Sequence, residues 1–263
     1  MIIKTTINKL MLRNKNIIIF GADGLIGSEI TRSILLNNGN VVAVDNKFNN
    51  LKSKLKEIDK NKNNISIQYV KCNVLKENVI KNIIMKSTKI DGVVNCLYLK
   101  NKNWGRKFES VSRKDFDENV IINLSTTFLI NKYCVKKFYK TSNKFSLINF
   151  ASIYGVIPPK FNIYKNTKMT SPIEYSVIKS STIHLTKYVA SYVKNSNFKC
   201  NCISPGGIED DHSNIFKKQY AQYTNGQGML KPNSLSYLTI FLLSEKSDFI
   251  NGQNIIIDDG FTL

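Results

Sequence analysis

The sequence has little arginine, little acid and almost no histidine. Four of its 38 basic residues are arginines (Arg13, Arg32, Arg106 and Arg113), set against 19 acidic residues and two histidines. The net charge over 263 residues is +19 at pH 7. Such an excess can mark a phosphate-rich partner, nucleic acid or an anionic membrane. Here the lysines are scattered and no basic stripe interleaves with aromatics, so no specific nucleic-acid face is expected. Abundant Lys, Asn and Ile together read as the coding bias of an AT-rich genome. The two histidines, His184 and His212, are far apart, and His212 has only Asp210 and Asp211 beside it. No metal site is expected from so poor a ligand set.

Cysteine is sparse and unpatterned. The five (Cys72, Cys96, Cys134, Cys200 and Cys202) are odd in number and lack zinc-site spacing, which excludes a disulfide framework. A reducing cytoplasm is the expected location. No apolar run approaches the roughly 20 residues that span a bilayer. The first 15 residues mix Ile, Leu and Lys without an apolar core and small-residue cleavage site, so neither a signal peptide nor a membrane partner is expected.

What is present is alternation. Short Val/Ile-rich runs at 16–20, 41–45, 66–71, 92–95, 145–150, 199–203 and 254–257 read as strands buried on both faces. Longer stretches at 25–37, 51–59, 76–86, 116–139, 174–194 and 234–243 read as helices. This order predicts one α/β domain over 1–263, a Rossmann-type doubly wound parallel sheet of about seven strands with helices on both faces. Three stretches, 98–115, 154–173 and 206–225, look irregular. In such a sheet ligands bind at the carboxyl ends of the strands. All three should emerge there as substrate walls.

After the first strand runs Gly21-Ala22-Asp23-Gly24-Leu25-Ile26-Gly27, leading into a helix. Glycines let backbone approach a pyrophosphate, and a helix N-terminus offers free amides and a positive dipole end. The second strand ends in Asp45, whose carboxylate can accept from adenosine ribose hydroxyls and would repel a 2′-phosphate. That favours NAD, with NADP not excluded because Lys47 is near. Asn73 and Val74 after the third strand, and Asn95 closing the fourth, are further candidates for the adenine or ribose pocket.

Ser152 closes the fifth strand, and Tyr175 and Lys179 stand at i and i+4 on one helix face. An ammonium beside a phenol favours the phenolate and makes the Tyr a usable general acid or base. Ser204-Pro205-Gly206-Gly207-Ile208 follows. Taken together, these motifs resemble the short-chain dehydrogenase/reductase family over nearly the whole chain. The resemblance implies a catalytic tetrad of Asn123, Ser152, Tyr175 and Lys179. In it Tyr175 exchanges a proton with the substrate oxygen and Lys179 lowers the Tyr175 pKa and holds the nicotinamide ribose. Ser152 positions the carbonyl or hydroxyl, and Asn123 supports a proton-relaying water. Pro205, Gly206 and Ile208 resemble the segment flanking the nicotinamide. Tyr175 and Lys179 thus serve cofactor and chemistry alike.

Departures narrow the resemblance. The middle glycine is shifted to Gly24, Phe20 stands where Thr is common, Asn73 replaces a usual Asp, and the Ser152–Tyr175 interval is longer than usual, which implies an inserted substrate lid within 154–173. These features resemble members from bacterial surface-sugar clusters, including those for flagellin nonulosonic acids such as legionaminic acid. The implied activity is hydride transfer interconverting a secondary alcohol and a ketone on a sugar or sugar phosphate, in a homodimer or homotetramer. Trp104, Arg106 and Lys107 would suit such an anionic substrate. A 3-oxoacyl-type or other small-ketone reductase is the alternative enzyme. A non-catalytic nucleotide-binding regulator or partner subunit is the alternative of another class.

Overall fold

The computed structural model describes residues 11–56 and 66–263. Seven strands form one all-parallel sheet: β1 Asn16–Phe20, β2 Asn40–Asp45, β3 Ile67–Lys71, β4 Gly92–Asn95, β5 Phe145–Phe150, β6 Phe198–Pro205 and β7 Asn254–Ile257. Their spatial order is β3-β2-β1-β4-β5-β6-β7. The chain winds outward from β1 to β3, then crosses back to β4 on the other side of β1. That reversal opens a crevice at the carboxyl ends of β1 and β4, where the binding rule for such sheets puts a ligand.

Strand alternation explains the two-sided packing. Ile17 and Ile19 of β1 point into one apolar layer, with helices α1 (Leu25–Leu36) and α8 (Ser236–Leu243). Ile18 and Phe20 point into the other, with α3 (Glu77–Lys86), α5 (Thr126–Thr141) and α6 (Ile173–Val193). Strands β1 to β6 serve both layers, which is why most of them read as apolar runs, while β7 at the sheet edge meets only the first layer and leaves Ile256 exposed. Helix α2 covers Asn49–Leu55; residues 57–59 of its expected extent lie outside the described residues, as do residues 1–10.

Two expectations are corrected. The stretch 116–139 is not one helix: α4 (Arg113–Val120) passes through a π-turn, Ile121–Ser125, into α5. The Asn123 side chain donates to the Asn119 carbonyl at 2.9 Å, the acceptor its own amide would use in a regular helix. The stretch 206–225 is not wholly irregular, because α7 spans Asn214–Ala221. Ser213 caps it by accepting from the Phe216 amide, and Phe216 and Tyr220 share its buried face. That face joins Ile153, Ile163 and Phe261 in a third, smaller apolar cluster beside the crevice.

Candidate active site

One cleft of about 650 Å³ runs along the carboxyl ends of the strands. Residues from all three expected wall stretches line it, together with the glycine turn. At one end Gly21 leaves β1 with φ +78°, and a Cβ there would lie 2.9 Å from the Cys96 carbonyl carbon. A Cβ on Gly27 would lie 2.0 Å from the Gly21 carbonyl oxygen. The turn and α1 are therefore pressed together, which only glycine allows. Gly24 is the N-cap of α1 and no side chain caps the helix; Gly24, Leu25 and Ile26 line the cleft at this amide end.

Asp45 lies at the end of β2, partly exposed at the groove. Its carboxylate accepts from the amides of Asp23 at 2.9 Å and Asn46 at 2.7 Å. Asp23 is buried and its Oδ1 accepts from the Leu51 amide at 2.7 Å, which ties the glycine turn to α2. A side hollow continues from Asp45 past Cys72, Asn73 and Val74 to Leu97 and Leu99. This groove fits a dinucleotide: bare amides for a pyrophosphate, a carboxylate for ribose hydroxyls and an apolar hollow for a base. Asn95 does not join it. Its Nδ2 points at Thr127 (3.3 Å) and its Oδ1 accepts from the Leu97 amide, so Cys96 to Leu99 form that wall instead.

At the middle of the cleft Ser152, Tyr175 and Lys179 come together, with Pro205, Gly206 and Ile208 opposite. Ser152 leaves β5 and accepts from the Tyr154 amide at 3.2 Å, turning the chain sharply. The Lys179 ammonium is buried, donates to the Phe150 carbonyl at 2.8 Å and sits 5.6 Å from the Tyr175 ring centre. Burial pushes Lys179 down to about 8; Cys202 and Cys96 pull weakly the other way. Tyr175 runs against expectation. Burial raises its phenol above the usual value, the Ser152 hydroxyl lowers it, and nearby Tyr164 raises it further. Desolvation outweighs any help from Lys179. Asn123 does not line this cleft; its amide is bonded to Leu99 and Asn119.

The far end of the cleft is aromatic and hydroxylated. Tyr98, Trp104 and Tyr175 meet edge-on, with ring centres 5.4 to 6.3 Å apart. The Tyr164 hydroxyl donates to that of Tyr154 at 3.1 Å. Lys100 lies over the Tyr98 ring at 4.4 Å, and His212 stacks on Phe216. Desolvation lowers the Lys100 ammonium, which Asp210 partly offsets. Lys100, Tyr164 and His212 lie in the three stretches expected to wall the cleft, but no spacing signal singles out these side chains. Sequence reasoning misjudged Arg106, which pairs with Asp115 at 3.3 Å and bonds Asn103, so it braces its own loop.

Residues 21–262 match the family model described as enoyl-(acyl carrier protein) reductase, a branch of the short-chain dehydrogenases/reductases. The chain belongs to the short-chain dehydrogenase/reductase family. This oxidoreductase is 36% identical, over 96% of its length and 100% of the relative's, to post-translational flagellin modification protein A of Campylobacter coli. It is 28% identical, over 95% of both chains, to the 7alpha-hydroxysteroid dehydrogenase of Bacteroides fragilis. Among solved structures, a short-chain dehydrogenase from Leptospira borgpetersenii with bound NAD+ superposes with a TM-score of 0.83. That pair is 31% identical, over 96% of this chain and 94% of the other. Among the described residues no helix is long and apolar enough to cross a membrane.

Proposed function

We propose that this oxidoreductase transfers a hydride between NAD and a secondary alcohol or ketone on a sugar or sugar phosphate, in the building of a surface or flagellin glycan. The observation that carries the reading is the meeting of Ser152, Tyr175 and Lys179 between two unlike ends of one cleft. One end suits a dinucleotide, and the other offers phenol hydroxyls and an ammonium. The likeness to a flagellin modification protein supports the sugar class.

NAD, when bound, supplies the hydride acceptor or donor. Asp45 accepts from the adenosine ribose hydroxyls and repels a 2′-phosphate. Gly21, Gly24, Leu25, Ile26 and Gly27 cradle the pyrophosphate; Asn73 and Val74 border the base. Pro205, Gly206 and Ile208 flank the nicotinamide. Tyr175 Oη passes a proton to or from the substrate oxygen, and Ser152 Oγ holds that oxygen by a hydrogen bond. Lys179, mostly protonated at pH 7 with a pKa of about 8, favours the phenolate as it forms. Asn123 acts from behind, through the loop it holds.

The insert 154–173 serves as a substrate lid, packed on α7 by Ile163, Tyr164 and Met169. Lys100 takes the substrate's phosphate or carboxylate, its ammonium lying over the Tyr98 ring on the cleft wall. The working form is a cytoplasmic homodimer or homotetramer. Exposed Phe128, Tyr188 and Tyr192 on α5 and α6 supply an apolar face for a second copy.

Parallel calorimetric titrations with NADH and NADPH test the cofactor, followed by absorbance assays on sugar phosphates and amino sugars. Tighter NADH binding and turnover of an anionic sugar are expected. Lys100→Ala should then raise the KM for that sugar by about 10-fold, the worth of one charge-assisted hydrogen bond. NADPH preference with turnover of 3-oxoacyl thioesters would select the small-ketone reductase alternative. A Tyr175→Phe protein that kept its biological effect would select a non-catalytic role.

A further inference from the structure

Asp115 and Asn119 on α4 and Asn123 in the π-turn stand four residues apart, and all three are buried. Each grips a different point on the loop after β4. Asn123 Oδ1 accepts from the Leu99 amide at 3.0 Å and Nδ2 donates to the Leu99 carbonyl at 2.9 Å. Asn119 Oδ1 accepts from the Asn101 amide at 3.1 Å, and Nδ2 donates to Asn101 Oδ1 at 3.3 Å. Asp115 Oδ1 accepts from Asn103 Nδ2 at 2.7 Å and from Asn101 Nδ2 at 3.3 Å. The repeats match. Four helical residues rise about 6 Å and two extended residues span about 6.6 Å, so positions 99, 101 and 103 meet 123, 119 and 115 in step. Tyr98 and Trp104 flank this zipped stretch, and both rings stand against Tyr175.

Glu174, the residue before Tyr175, joins the ladder to α6. It is 1% exposed, and its Oε1 accepts from Asn119 Nδ2 at 3.1 Å. Its Oε2 is buried and receives no hydrogen bond. A carboxylate only accepts. Facing Glu174, Asn119 must therefore present its amino group to it and its oxygen to the Asn101 amide. One orientation of Asn119 follows, and with it one seat for the loop.

We infer that Glu174 is a positioning residue: through Asn119 and Asn101 it holds the Tyr98–Trp104 wall against the Tyr175 phenol and so shapes the substrate side of the cleft. This rests on the reading of Tyr175 as the proton-transfer group, but the link itself is measurable without a substrate.

Trp104 is the sole tryptophan, so its fluorescence reports the loop directly. Acrylamide quenching should compare wild type with Glu174→Leu, Glu174→Gln, Asn101→Ala and the Glu174→Leu/Asn101→Ala pair, each alongside an NADH titration. Glu174→Leu keeps bulk and loses the acceptor. It should raise the quencher-accessible population about 5-fold, the equilibrium worth of one lost hydrogen bond, with NADH affinity kept. Asn101→Ala should do the same, and the double variant should exceed neither single by much, because both break one chain of contacts. Glu174→Gln, which still offers an oxygen, should restore wild-type quenching.

Unchanged quenching in Glu174→Leu, failure of Glu174→Gln to restore it, or fully additive effects would overturn the inference. Should Glu174→Leu lose NADH binding through misfolding, Glu174→Ala, which removes the same acceptor without setting methyl groups against Asn119, decides in its place. Unchanged quenching there overturns the inference equally. Wild-type protein that bound no NADH would sink the functional reading and leave the quenching comparison intact.

Discussion

The two ends of the cleft are held in opposite ways. The dinucleotide end is backbone: a glycine turn, bare helix amides and one strand-end carboxylate, all anchored to β1, β2 and α1. The substrate end is side chain: phenols, an ammonium and an indole on loops that bond to α4 and to a small satellite core. A common cofactor calls for a rigid, generic grip, and backbone supplies it. A particular substrate calls for a shape that loops can vary while the sheet stays the same. Ser152, Tyr175 and Lys179 sit on the seam.

The largest expected effect falls on that seam. Tyr175→Phe should lower kcat by about 10³-fold, within the range that general acid–base catalysis supplies. NADH binding should stay near wild type, because the groove does not depend on the hydroxyl. Steady-state assays and calorimetry on one preparation check both; a parallel loss of NADH affinity would mean the two ends are not separable.

Gly27→Ala should strike the dinucleotide end alone. Its Cβ would meet the Gly21 oxygen at 2.0 Å, backbone that cannot yield. A loss of about 3 kcal/mol of stability and of measurable NADH binding is expected. Gly24→Ala, with its nearest contact at 3.3 Å, should be milder. Urea melts and NADH titrations of the two variants would reverse the comparison if Gly24→Ala proved the worse.

Lys179 lets activity and stability be set against each other. Burial holds its ammonium at about 8 against an ordinary 10.5. Between those values the unfolded chain binds more protons, so stability rises with pH there. The cost of the buried charge is fully present below about pH 8 and fades toward 10.5. Lys179→Met should abolish turnover yet stabilise the fold by about 2 kcal/mol at pH 7, net of the lost bond to Phe150. Denaturant melts at pH 7 and pH 10 should show the gain shrinking; a gain equal at both would break the argument.

The smallest effect concerns cofactor choice. Asp45→Ala should shift the ratio of NAD to NADP efficiency by about 10-fold toward NADP, one carboxylate's worth of hydrogen bonding and repulsion. Because Asp45 also accepts from the Asp23 amide, some loss of NAD affinity should accompany the shift. An unchanged ratio would remove Asp45 as the ribose reader.

How much of this was legible beforehand follows the same division. The ranges of β1, β4, β5 and β7 agree residue for residue with the Val/Ile-rich runs bounded by Gly, Asn or Asp. Ser152, Tyr175 and Lys179 were readable from their order after a nucleotide turn. Asn95 and Asn123 were singled out, yet their side chains turn away from the cleft to brace Leu97 and Leu99. Arg106 looked like a substrate cation and is an ion-pair partner of Asp115. The meeting of the three loops that carry Lys100, Tyr164 and His212 follows from the sheet topology, but which of their side chains face the cleft does not, because that is set by packing around each loop.

The sequence by itself determined the alternation of strand and helix, the glycine turn, the strand-end carboxylate and the Tyr–Lys pair. Each rests on local geometry: burial periodicity, backbone freedom, and the i, i+4 spacing of one helix face. Tertiary structure decided which polar side chains face the cleft and which are spent inside, because an amide or carboxylate can be satisfied by any partner brought within 3 Å. It also decided the state of the seam. Burial of Tyr175 and Lys179 is a property of everything packed around them, and burial sets which of them carries charge.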